Sequence, residues 1–287
     1  MEPSSPRSWT ITRGRGSITV FDVGANLNGF LYDGFQYLRG HETGDSLLSH
    51  PAQAGCAVLV PFANRIRSGK YSFGGGAYQL PLNDSSGPNA IHGLLANVRW
   101  DLSELARDRL VFSRDFPGEP GYPFPFRAQV SYVLKEEGLE VRLSVENLGN
   151  HDMPITAGAH PYFRLDGDLS EWTLYLKSRG RLLVGKDKIP TGQILEEDPS
   201  GRLDDRELDH CYAIEGDVLL QSHKGLRLEL EGFRYLQVYV PPRRDSVALE
   251  PMTGAPDAFN NGMGLTILGL GESLKASFKV IPLAHED

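Results

Sequence analysis

The sequence predicts an all-β protein, a large antiparallel β-sandwich, and three observations carry that prediction. Apolar residues recur with a period of two in segment after segment, the spacing of a half-buried strand. The 287 residues include 32 glycines and 19 prolines, well above the roughly 12% these two types average. They are spread along the chain as turns between many short strands. No convincing helix competes with this pattern.

Taken along the chain, residues 18–23 open the series of strands, and residues 46–50 allow one helical turn at most. Residues 56–61 lie within the apolar run 54–62 and read as a strand, with Cys56 as a buried free thiol. Residues 71–80 are a further candidate. Within them Gly74, Gly75 and Gly76 precede no helix, so they make a turn and not a phosphate cradle. The clearest element spans residues 128–146. Val130, Tyr132 and Leu134 alternate with Ser131, Val133 and Lys135, and Leu139, Val141, Leu143 and Val145 alternate with Glu140, Arg142, Ser144 and Glu146. Glu136, Glu137 and Gly138 between them predict a hairpin turn in which Gly138 is free to take positive φ.

Residues 172–176 follow, then Leu226, Leu228 and Leu230 alternating with Arg227, Glu229 and Glu231. Residues 236–240 and 247–250 are the next strands. Leu274, Ala276, Phe278 and Val280, alternating with Lys275, Ser277 and Lys279, close the series. No fixed-period repeat, low-complexity tract or shift in composition marks a boundary. Residues 1–287 are therefore expected to form one domain, most simply two large sheets packed face to face, with residues 1–14 poorly ordered.

Composition excludes several classes of function. There are 29 basic and 37 acidic residues, a formal net charge of −8, which does not suit a partner that must be recruited through its phosphates. Neither nucleic acid nor membrane is an expected partner: no apolar run approaches the roughly 20 residues of a spanning helix. The N-terminal stretch lacks the apolar core of a secretory signal. With only two cysteines, Cys56 and Cys211, far apart, a reducing cytoplasm is the expected compartment. The eight histidines contain no His-x-His pair and no His-Glu-x-x-His motif, and the cysteines lack zinc spacing, so neither metal nor cofactor is expected. No Gly-x-Ser-x-Gly nucleophile elbow occurs.

Four segments depart from a plain core-or-surface pattern. Asn64 and Arg65 end an apolar strand with an amide and a rigid fork of donors, which suits a hydroxyl-rich ligand; a surface ion pair is the alternative for Arg65. His92 lies between Ile91 and Gly93, as a functional imidazole or as a hydrogen-bonded structural one. His160 precedes Pro161 and is held extended, with small residues before it and aromatic ones after it. Glu250 precedes Pro251 and points away from the face shared by Val247 and Leu249, toward either solvent or a cleft. Together these residues supply an acid, a base and hydrogen-bonding groups without an evident nucleophile, an inventory that suits proton transfer on a polyol.

At this point the sequence resembles a known family. Asn64-Arg65-Ile66 followed by Gly69, the strand around Phe73 and Tyr78, then His92-Gly93 and Trp100, resemble the N-terminal half of the aldose 1-epimerase (galactose mutarotase) family. His160-Pro161-Tyr162-Phe163 resembles its central histidine motif, residues 208–212 its aspartate segment and residues 250–260 its C-terminal glutamate segment. The matches run in the family's order over nearly the whole chain. The resemblance implies a galactose mutarotase-like β-sandwich and an isomerase that interconverts the anomers of free hexoses without cofactor. It implies Glu250 as general base on the C1 hydroxyl and His160 as general acid on the ring oxygen. Arg65, His92 and Asp209 would bind and orient the sugar, with Asn64 beside them. The partner is then a monosaccharide, with monomer and homodimer both open. Such a pair needs His160 protonated and Glu250 ionised, a condition that ordinary values near 6.5 and 4.3 meet just below neutral pH.

Two departures keep substrate identity open. Galactose-type members carry Asn two residues after the motif's Tyr, where this chain has Arg164, and Pro161 and Pro251 are more like divergent branches, including sugar-phosphate epimerases. Arg164, Arg67, Arg243 and Arg244 would serve an anionic substituent, phosphate or sulfonate, or else are surface charges. A non-catalytic carbohydrate-binding protein and a glycoside hydrolase using Asp209 and Glu250 are the competing classes.

Overall fold

The computed structural model describes residues 5–283. Every strand pairing among them is antiparallel. The expected all-β antiparallel class holds, and the strands form one fourteen-stranded sheet, one four-stranded sheet and three two-stranded ones where two large sheets were the simplest expectation. Residues 1–4 lie outside the described residues. The expectation of poor order over 1–14 fails for Ser8–Arg13, which forms a strand paired with Gly16–Phe21. Its Trp9 ring packs edge-on to Phe112, with centroids 5.5 Å apart, so burial holds this strand in place.

The hairpin read at 128–146 is Phe126–Leu134 with Leu139–Asn147. Phe126, Ala128, Val130, Tyr132 and Leu134 are buried, while Arg127 and Gln129 are exposed. Burying side chains as large as Phe126, Val130 and Leu134 stabilises by about 1.5–3 kcal/mol each. Gly138 takes φ 154°, and a Cβ there would stand 2.2 Å from the Val280 carbonyl oxygen; only glycine fits this turn. The four-stranded sheet covers this part of the large one. Tyr132 Oη donates to the Ala25 carbonyl at 2.6 Å and Tyr32 Oη to that of Glu136 at 2.7 Å.

The large sheet then runs through Ser273–Leu283, Gly225–Glu231, Asp209–Gln221, Tyr235–Tyr239, Val247–Met252 and Gly158–Phe163 to Cys56–Leu59. Those last strands carry the site. The candidate at 71–80 is a hairpin, Lys70–Phe73 with Gly76–Gln79. The strand at 172–176 continues as Thr173–Val184. Residues Gly44–Ser49 form a short helix capped by Thr43. Both cysteines are buried and free, and burial pushes the Cys56 thiol up to about 12. Among the described residues no helix is long and apolar enough to cross a membrane.

Candidate functional site

Strand register sets the centre of the site. Gly158 stands opposite Met252 and Tyr162 opposite Ala248, which places His160 opposite Glu250. Pro161 and Pro251 follow these two residues and have no N–H to give to a ladder. Backbone pairing lapses between the two fixed points, while the side chains still meet. The row continues across the sheet, with Gln237 opposite Glu250 and Cys211 opposite Gln237. One step along, the same face carries Tyr162, Ala248, Tyr239 and Asp209. Leu236, Val238, Val247 and Leu249 point the other way into the main core.

These rows floor a cavity of about 650 Å³. His160 Nε2 lies 3.1 Å from Glu250 Oε1, the two side chains being 5% and 3% exposed. The His160 ring stacks on Tyr162, with centroids 4.8 Å apart, and meets the edge of His92 at 5.1 Å. Tyr162 Oη is itself anchored on the Ala52 carbonyl at 3.1 Å.

A second wall comes from the chain between Val60 and Ile66 and from residues 90–93. Arg65–Ile66 pairs with Ala90–Ile91, Arg65 opposite Ile91, and the His92 amide donates to the Asn64 carbonyl at 3.0 Å. Asn64 and His92 sit at φ 57° and 63°, the left-handed region that few non-glycine residues occupy and where Asn and His are enriched. Such strain is stored preferentially at functional sites. Gly93, at φ 77°, lets this turn pass so close that a Cβ would lie 2.2 Å from the Val60 carbonyl oxygen. The Arg65 guanidinium donates from Nε to Asp84 Oδ2 at 2.8 Å and from Nη2 to Ser86 Oγ at 3.2 Å. Against the cost of burial, hydrogen bonds from Ser86 and Arg65 hold the Asp84 carboxyl down at about 2.

Asp209 closes the opposite side. Its Oδ1 accepts from Gln237 Nε2 at 2.7 Å and its Oδ2 from Lys188 Nζ at 2.6 Å, while Gln237 Oε1 accepts from Asn64 Nδ2 at 3.4 Å. One chain of hydrogen bonds thus links Lys188, Asp209, Gln237, Asn64 and Arg65.

Burial decides the protonation of the central pair. It pushes Glu250 well above the usual carboxylate range, and the Asp209 charge adds to that. It also pushes His160 down to about 4, against the opposing pull of Asp209. Burial, then His160 and Arg65, push His92 well below its ordinary value. Both shifts run against the expectation of a protonated His160 beside an ionised Glu250: burial favours the neutral form of each group. Six buried side-chain polar atoms among the described residues have no partner, and three of them are His92 Nδ1, His160 Nδ1 and Glu250 Oε2. Buried polar groups are nearly always paired, so these three atoms, gathered in one cavity, make it the candidate site. His92, His160 and Glu250 each also bring one potential metal-ligand atom within 4.8 Å of the others, a cluster that sequence spacing could not reveal.

The structure brings all six sequence-derived candidates, Asn64, Arg65, His92, His160, Asp209 and Glu250, to this one cavity. Arg67, Arg164, Arg243 and Arg244 do not line it. Arg67 faces Asp187, and Arg244 binds the Arg206 and Leu203 carbonyls. Sequence reasoning missed Gln237, although a polar residue between Leu236 and Val238 in a buried strand was a usable signal. It also missed Lys188, whose loop position carries none.

A sequence model of the family described as aldose 1-epimerase matches residues 7–280. The chain is 29% identical over 291 residues to uncharacterized protein YihR of Escherichia coli strain K12, covering 96% of this chain and 93% of that one. It is 30% identical over 145 residues to the galactose mutarotase of Mus musculus, 48% of this chain and 41% of that protein. Among solved structures, the GalM/aldose epimerase homologue from C. elegans aligns with a TM-score of 0.86 at 18% identity, over 99% of this chain and 100% of that one. A galactose mutarotase-like protein from Clostridium acetobutylicum aligns with a TM-score of 0.84 at 20% identity, over 98% and 99%. At these identities the structural likeness is one of fold.

Proposed function

The chain belongs to the aldose 1-epimerase family, and on that premise we propose that it interconverts the α and β anomers of a free hexose, working as a single domain. The observation that carries this reading is the opposed pair His160 and Glu250, buried on the floor of a cavity whose walls include Asn64, Arg65, His92, Asp209 and Gln237. A free hexose is favoured over an anionic sugar because the charge of each basic side chain in the hydrogen-bonded wall is already offset by a carboxylate, Arg65 by Asp84 and Lys188 by Asp209. The arginines that would have served a phosphate or sulfonate lie outside the cavity.

In the mechanism we propose, the Glu250 carboxylate takes the proton from the C1 hydroxyl while His160 Nε2–H protonates the ring oxygen. The C1–O5 bond breaks and C1 becomes the aldehyde. Rotation about C1–C2 presents the other carbonyl face, and the same transfers run backward with the roles exchanged. An anomeric hydroxyl is a weak acid and a ring ether a very weak base, so assistance at both ends avoids free ions; each group is worth roughly 10²- to 10⁴-fold. The pair needs one proton throughout. Burial raises Glu250 and lowers His160, which favours the proton on Glu250, the arrangement reached once the ring has opened. Starting from the closed sugar requires its transfer to His160 across the 3.1 Å contact. A sugar hydroxyl donating to Glu250 favours that shift by stabilising the carboxylate.

The test is the decay of optical rotation of freshly dissolved α-D-glucose and α-D-galactose, with wild type and Glu250→Gln side by side. Acceleration by wild type that falls at least about 10²-fold in the variant is the expected result. Acceleration that survives in the variant removes Glu250 from the chemistry. No acceleration by wild type on either sugar overturns the free-hexose reading.

A further inference from the structure

Lys188 stands at the tip of the hairpin joining Thr173–Val184 to Pro190–Leu195. The tip is held independently of its ammonium group. Lys188 N donates to the Gly185 carbonyl at 3.0 Å, and Asn89 Nδ2 donates to the Asp187 carbonyl at 3.2 Å. The Asp187 carboxylate also faces Arg67 Nε at 3.6 Å. The backbone at Lys188 is left-handed, φ 59°, and the side chain lines the cavity with its Nζ 2.6 Å from Asp209 Oδ2. Both groups stay partly open, at 44% and 32% exposure, so this contact by itself adds little to stability.

We propose that Lys188 is a specificity-determining residue that forms, with Asp209, a clamp for one hydroxyl of the sugar. The inference rests on the hexose reading above and deepens it. An ammonium has three donors, and one is spent on Asp209. The Asp209 oxygens accept from Gln237 and Lys188 and still have lone pairs free. Donor and acceptor capacity therefore stand side by side at one point of the wall. A hydroxyl is the sugar group that uses both, giving its proton to the carboxylate and accepting from the ammonium. A methylene in its place, or a hydroxyl on the other face of the ring, forfeits both of these charge-assisted hydrogen bonds and so binds more weakly.

The experiment measures KM and kcat for anomerisation of glucose and of its 2-, 3-, 4- and 6-deoxy analogues with wild type, Lys188→Ala and Lys188→Arg. Lys188→Ala is expected to raise KM for glucose roughly 10- to 100-fold, the scale of a hydrogen bond to a charged group. We expect kcat and the melting temperature to stay near wild type and Lys188→Arg to recover part of the affinity. One deoxy analogue, already weak with wild type, should lose nothing further in the variant, and that analogue identifies the clamped hydroxyl. An unchanged KM, or the same loss on every analogue, overturns the clamp while leaving the hexose reading intact. A wild-type protein inactive on all five sugars overturns both.

Discussion

Glu250 keeps one oxygen on His160 and leaves the other without a protein partner, inside a site where burial favours the neutral acid. Two predictions follow at this scale. In the proposed mechanism the active form carries one proton on the pair, so kcat/KM should fall on the acid side as His160 gains a second proton, near its lowered value of about 4. It should fall on the alkaline side as Glu250 gives up the last one, well above the ordinary carboxylate range, leaving a broad plateau between. A profile with a single acid limb near 6.5 would contradict this. The second prediction concerns stability. A carboxyl whose folded-state value is raised contributes stability below its unfolded value and loses it as pH climbs toward the folded one. Glu250→Gln removes that loss and can still donate to His160. Its melting temperature should exceed that of wild type by an amount growing from pH 5 to pH 8, on the order of 2–4 °C, while activity disappears. Equal melting curves at pH 8 would show that Glu250 ionises without cost in the fold. The orientation of Glu250 was legible in the sequence, because Val247 and Leu249 fix the opposite face of the strand. Its protonation state was not, since no local pattern reports depth below the surface.

At the scale of elements, the long alternating strands were read almost as they stand, and the hairpin at 126–147 differs from its sequence reading only at the ends. The two-residue pairing of Arg65–Ile66 with Ala90–Ile91 was not legible, because two residues carry no period and their partners are distant in sequence. Yet that pairing delivers Arg65 and His92 to the cavity. The narrowness of the turn after it gives a direct test. Gly93→Ala must accommodate a methyl group against the Val60 carbonyl oxygen at positive φ. It should destabilise by about 1–3 kcal/mol and displace His92, raising KM more than it lowers kcat. Chemical denaturation and sugar-dependent kinetics of the variant check both; wild-type behaviour in the two would mean that the backbone there yields freely.

Across the whole molecule, the site is gathered from distant parts of the chain: residues 64–65, 92, 160, 188, 209, 237 and 250. The class of fold was legible because strand period and turn composition are local. The path of the fourteen-stranded sheet was not, because local alternation does not say which strands become neighbours. The row formed by His160, Glu250 and Gln237 ties chemistry to that path in a way that bears on folding. Side chains alternate across a sheet, so a slip of one residue in Val247–Met252 would turn Glu250 into the core and Leu249 into the cavity. Compact chains with near-native strand content but shifted pairing would therefore be inactive. During refolding from denaturant, anomerase activity should return later than far-ultraviolet circular dichroism, in step with the burial of Trp100 and Trp172 seen by fluorescence. Turnover on this scaffold would then serve as a clock for the last register to lock.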